Sequence, residues 1–110
     1  MIDEHFAQIR ESLEGVEKLS AAEKLRLLEL LGELRAEVDA LARSRDRDAM
    51  DVSLLAAASA REAVRIPRRP EVLGETLQGL VASVEGLENT HPRLVAAVNR
   101  IALTLSGMGI

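Results

Sequence analysis

Glu88-x-x-His91 sets a carboxylate and an imidazole three residues apart, the spacing by which carboxylate-bridged two-iron bundles present both groups on one helix face. Such a centre needs a second Glu-x-x-His and two more inward carboxylates. The other histidine, His5, stands in no such motif, and Pro92 directly after His91 interrupts helical geometry. The sequence therefore predicts no metal, and His91 reads as a cap or packing residue at a helix start. Asp46, Asp48 and Asp51 superficially follow a calcium loop, but no glycine stands at its turn and no glutamate at its twelfth position. No glycine-rich phosphate loop is present, and the histidines at positions 5 and 91 flank no obvious nucleophile. The absence of cysteine removes thiol catalysis, zinc-thiolate sites and disulfides. The expectation is a protein that is not an enzyme and uses no cofactor.

One constellation is charged rather than catalytic. Arg61 and Arg65 fall one helical turn apart, and Arg68 and Arg69 follow at the end of the same segment. Together they form a candidate anion patch, although cations near a helix C-terminus also complement its dipole. The total charge of −4 disfavours general nucleic-acid binding, but its distribution is uneven. Residues 1–42 hold five Lys/Arg against ten Asp/Glu, whereas residues 43–69 hold seven against four. A salt-sensitive anionic partner is compatible with that basic middle.

The elements that must position these residues are helices. In four segments the apolar residues recur at 4,3,4,3 spacing, each describing one helix face. They are Ile2, Phe6, Ile9, Leu13, Val16; Leu27, Leu31, Leu34, Val38, Leu41; Leu73, Leu77, Leu80, Val84, Leu87; and Leu94, Val98, Ile101, Leu105, Met108. Phe6 is the single aromatic residue, which suits an aliphatic helical core and argues against an all-β fold. Ser20-Ala-Ala-Glu23 fits a capping box, so a helix begins near Ala21. Pro67 and Pro70 bracket a break, Pro92 marks another helix start, and Gly107 predicts a helix end near Ser106. Residues 48–66 read as a helix with the stripe Met50, Leu54, Ala57 and Val64, interrupted by Arg61. Residues 44–50 fit either a charged loop or a solvated turn of continuous helix.

Two packing features remain. Gly79, Ser83 and Gly86 recur beside the leucine stripe of their segment, predicting close approach of a neighbour, for which the alanine-rich stretch 56–63 is the natural partner. Leu25 and Leu28 lie off their helix's stripe, and Leu103 lies nearly opposite its own. Either those helices are central in the bundle, or the extra leucines meet a second copy or a partner. Asn99 joins this candidate interface as a polar residue of the kind that fixes register between helices.

Arg61-Glu-Ala-Val-Arg65, Ser83-Val-Glu-Gly-Leu-Glu88, His91-Pro-Arg-Leu-Val95, Val98-Asn-Arg-Ile101 and Leu105-Ser-Gly-Met-Gly-Ile110 carry a resemblance. The chain resembles a bacterial domain-of-unknown-function family of short helical proteins, most closely over residues 70–110, where His91, Pro92, Gly109 and Ile110 belong to the shared pattern. The resemblance implies a bacterial cytosolic helical protein and supplies no activity or functional residue. Ile110 either seals the bundle end beside Met108 or offers its side chain and carboxylate to a partner. The full expectation is one all-α domain spanning residues 1–110. It is an antiparallel bundle of four to five helices with coiled-coil-like heptad stripes, cytoplasmic and without a membrane span. Its function would be a non-catalytic interaction or scaffold role, as a homodimer or bound to another protein. The alternative is a small regulator binding an anionic ligand or nucleic acid through Arg61 to Arg69.

Overall fold

Local signals set most helix boundaries in the computed structural model, which describes residues 1–16 and 19–108. Five helices form among these residues: α1 (Ile2–Glu14), α2 (Ala21–Ala42), α3 (Asp46–Ala63), α4 (Pro70–Ala82) and α5 (Pro92–Met108). The fold is an all-α bundle. The capping box opens α2 as expected: the Glu23 amide donates to Ser20 Oγ at 3.1 Å, and the Ser20 amide donates to Glu23 Oε1 at 3.2 Å. Pro70 and Pro92 each occupy a first helical position, where a missing N–H matters least. The chain breaks after Ala42 and resumes helix at Asp46, so residues 44–45 are a connection and the charged stretch from Asp46 belongs to α3.

Four apolar stripes build the core. Phe6, Ile9 and Leu13 of α1, Leu27 to Leu41 of α2 and Leu94 to Leu105 of α5 are buried as their spacing requires. The α1–α2 pair is antiparallel, since Arg35 reaches back to Asp3 and the Lys24 ammonium approaches the Glu14 carbonyl. The α2–α5 pair is also antiparallel. Glu33 pairs with Arg100 in mid-helix, and the N-terminal turns of α2 share a cavity wall with the last turn of α5.

The seat of α3 departs from expectation. It touches each of the other four helices, and its buried residues are not Met50, Leu54 and Val64. Ala49, Val52, Ser53, Ala56, Ala57, Ser59, Ala60, Glu62 and Ala63 are buried instead, while Leu54 remains 52% exposed. Small side chains let four neighbours approach one helix, and this dominates over the larger apolar residues as the selector of its inner faces. Thus neither α2 nor α5 is the central helix, and the exposed Leu25 and Leu103 are not explained by centrality, whereas Leu28 packs against the core.

Two further expectations are corrected. The stripe from Leu73 to Leu87 is not one helix, because α4 ends at Ala82; Val84 and Leu87 are buried from the turn that follows. Gly86 lies in that turn at φ +87°, a conformation L side chains rarely adopt, and plays no part in helix packing. Gly79 does face α3 closely, since a Cβ there would stand 3.2 Å from Leu55 Cδ2. The last helix runs to Met108 rather than Ser106. Gly107 is helical, so it does not cap the helix.

Candidate functional site

The four arginines of the predicted patch separate. Glu62, only 5% exposed at the end of α3, draws Arg69 into a two-pronged contact, Nε to Oε1 at 3.0 Å and Nη2 to Oε2 at 2.6 Å. Arg65 stands 3.7 Å from the same carboxylate. The Arg69 hydrogen bonds hold the Glu62 carboxyl below its ordinary value, against the opposing effect of burial. This cluster ties the 64–69 connection, which includes a cis Ile66–Pro67 peptide, to the C-terminal turn of α3. Arg61 is exposed. The segment is therefore not a continuous cationic strip, and a buried acid organises half of it.

Arg65 and Arg68 also border a cavity of about 580 Å³ at the bundle end where α2 begins and α5 finishes. Leu27 and Ala63 form its buried floor, while Val64 and Met108 add aliphatic wall. Arg26, which the charge pattern did not single out, adds a third guanidinium from α2, against one carboxylate, Glu23.

Of the candidate interface residues, Leu25, Leu103 and Asn99 lie on the outside, whereas Leu28 packs against the bundle's own core. Leu25 is 62% and Leu103 75% exposed. At roughly 100° per residue, the side of α2 turned away from α3 carries Ala22, Leu25, Glu29, Gly32 and Ala36, all exposed. Four of these five are small or apolar, while Glu23, Arg26, Glu33 and Asp39 place charge on the flanks, and α2 has far less amphipathicity than its neighbours. Of the five outward residues the heptad reading isolated Leu25 alone. A projection of α2 around its axis would have found the rest. On α5, Ala96, Asn99 and Leu103 occupy the outward side, and the Glu33–Arg100 ion pair at 3.0 Å sits in the seam between the two outward faces.

The histidines are placed apart. His91 precedes α5, where its carbonyl accepts from the Val95 amide at 3.2 Å and its Nδ1 lies 3.0 Å from Thr90 Oγ1. No group of three or more histidine, aspartate or glutamate side chains converges as metal ligands among the described residues. The structure does bring His5 to a hydroxyl that the sequence did not reveal, with Nδ1 2.7 Å from Ser53 Oγ. That hydroxyl donates to the Met50 carbonyl at 2.9 Å, so the imidazole serves as donor to it rather than as base. Ser53 is wholly buried, and a nucleophile there meets no substrate. The contact joins α1 to α3.

Gly109 and Ile110, the end of the resembled motif, lie outside the described residues. Among the described residues, no helix is long and apolar enough to cross a membrane. No protein-family model matches the chain, and neither a curated protein nor a solved structure does.

Proposed function

We propose that this chain is a non-catalytic helical interaction protein that associates with a second copy of itself through the outward faces of α2 and α5. A bacterial, cytoplasmic setting belongs to the same reading and rests on the resemblance of residues 70–110. The observation that carries the proposal is α2: Ala22, Leu25, Gly32 and Ala36 share its outer side with a single carboxylate, Glu29, where an amphipathic surface helix places mostly charge. Small residues on that line suit close approach of another helix, and Leu25 and Leu103 supply the apolar anchors. The alternative of nucleic-acid binding through Arg61 to Arg69 has less support, because Glu62 engages Arg65 and Arg69.

Light scattering across a concentration and salt series tests the proposal. The expected result is a salt-resistant species of twice 11.9 kDa. Burying a fully exposed leucine side chain contributes about 1.5–3 kcal/mol, so the 62% exposure of Leu25 scales to about 1–2 kcal/mol per copy. Both copies lose that contribution in Leu25→Asp, which weakens association at least about thirty-fold. Leu103→Asp acts in the same direction, and both variants keep wild-type helicity. A wild-type monomer at every concentration refutes self-association.

A further inference from the structure

We infer that the cavity between the start of α2 and the end of α5 binds an anionic amphiphile, a single aliphatic chain carrying a carboxylate or phosphate head. Size comes first. At about 30 Å³ per water-sized atom, 580 Å³ holds roughly twenty non-hydrogen atoms, within the range of small-molecule sites. A chain of about a dozen to sixteen carbons with its head group fits that volume.

The walls choose the chain. Leu27 and Ala63 close the floor, and Val64 and Met108 flank it; every apolar contact offered is aliphatic, since the chain's single aromatic residue, Phe6, is packed elsewhere beneath Arg35. A planar aromatic ligand would find no ring to stack on, whereas a flexible methylene chain loses nothing by that lack. Charge chooses the head. Arg26, Arg65 and Arg68 border the cavity from α2 and from the α3–α4 connection, and Glu23, the one acid lining it among the described residues, has one carboxylate oxygen engaged by the Ser20 amide. Arg26 makes no ion pair or hydrogen bond among the described residues, and its long aliphatic stem can lie along the wall with the guanidinium at the rim. The arginines that the sequence groups as an anion patch thus have different places: Arg69 and Arg65 both meet Glu62, and Arg65, at 3.7 Å the looser of the two, also borders the cavity that Arg26 reaches from α2.

Isothermal titration of the full chain below micelle-forming concentrations tests this, with laurate and dodecyl phosphate as the two head chemistries. Dodecanol and dodecyltrimethylammonium serve as neutral and cationic controls. The expected result is one anionic chain per protein, at least ten-fold tighter than either control; which anionic head binds more tightly identifies the source. Arg26→Ala plus Arg65→Ala brings the preferred anion to the affinity of dodecanol. Thr104→Phe, which places a ring in the cavity from α5, abolishes binding with helicity retained; Ser12→Phe does the same from α1 if the first variant fails to fold. Equal affinity for the three head charges, absence of saturable binding, or wild-type binding by a folded cavity-filled variant overturns the proposal.

Discussion

Two serines on α3 with opposite hydrogen-bond states predict opposite effects of the same substitution. Ser53 and Ser59 are both wholly buried. Ser53 donates to the Met50 carbonyl and accepts from His5, whereas Ser59 Oγ has no partner among the described residues. Ser59→Ala removes an unpaired buried hydroxyl, recovering about 1–3 kcal/mol of desolvation. Alanine's greater helix propensity adds about half a kcal/mol. Allowing for the lost contacts of the oxygen, a net gain of about 1–2 kcal/mol follows. Ser53→Ala gains the same propensity but loses two hydrogen bonds, each contributing about 0.5–1.5 kcal/mol, and leaves the His5 ring without its buried partner. The net loss is about 1 kcal/mol. For 110 residues, an unfolding entropy of about 2.1 cal/mol/K per residue makes each kcal/mol worth about 4 °C. Thermal unfolding followed by far-UV circular dichroism should place Ser59→Ala about 4–8 °C above wild type and Ser53→Ala about 4 °C below it. A Ser59→Ala melting temperature at or below wild type refutes the reasoning, because the hydroxyl must then be paired.

The remaining predictions concern charge and backbone. Because Arg69 lowers the folded-state value of Glu62, the stability it confers is fully present above the ordinary glutamate value of about 4.3 and is lost as pH falls through the depressed folded value. Urea midpoints between about pH 7 and about pH 3 should therefore fall less steeply in Glu62→Gln than in wild type, and parallel curves would exclude Glu62 as a contributor. Gly32→Ala meets nothing within 4 Å on the exposed side of α2 and should stabilise the chain by about 0.5–1 kcal/mol. The same methyl should weaken self-association, measured by light scattering, whereas Gly74→Ala on α4 stabilises without that loss.

Helices α1, α4 and α5 were legible because each buries one face, and a one-faced helix writes its period into the sequence; α2 was legible from its Leu27 to Leu41 stripe despite the leucines beside it. Phe6, Leu34, Leu80 and Ile101 are all buried from predicted stripes. The inner faces of α3 were not legible, because they are made mostly of Ala and Ser, which carry little hydrophobic signal, while its larger Leu54 points outward beside Asp51 and Arg61. The end of α4 escaped because Val84 and Leu87 continue to meet the core after the helix has stopped. Periodicity records burial and cannot distinguish a helix from a turn that keeps the same face inward. The cavity brings Arg26 of α2 and Arg65 of the α3–α4 connection to one space, and the Glu62–Arg69 pair forms across the proline-containing connection. Each is a tertiary coincidence invisible to spacing along one element.

The central position of α3 bears directly on α2. Four outer helices each have a side toward α3 and a side toward solvent, and three of them satisfy this by amphipathicity. The fourth, α2, is the longest helix, yet its outer side sets Ala22, Leu25, Gly32 and Ala36 around a single carboxylate, Glu29. Single exposed leucines are ordinary on protein surfaces. A line of Ala22, Leu25, Gly32 and Ala36 is a different matter, because Gly32 weakens the isolated helix while presenting nothing to the rest of its own chain. Local preference and monomer packing both favour another residue there. The proposed self-association would reconcile them, since a second helix across that face would place the position least favourable in one copy where two copies approach most closely.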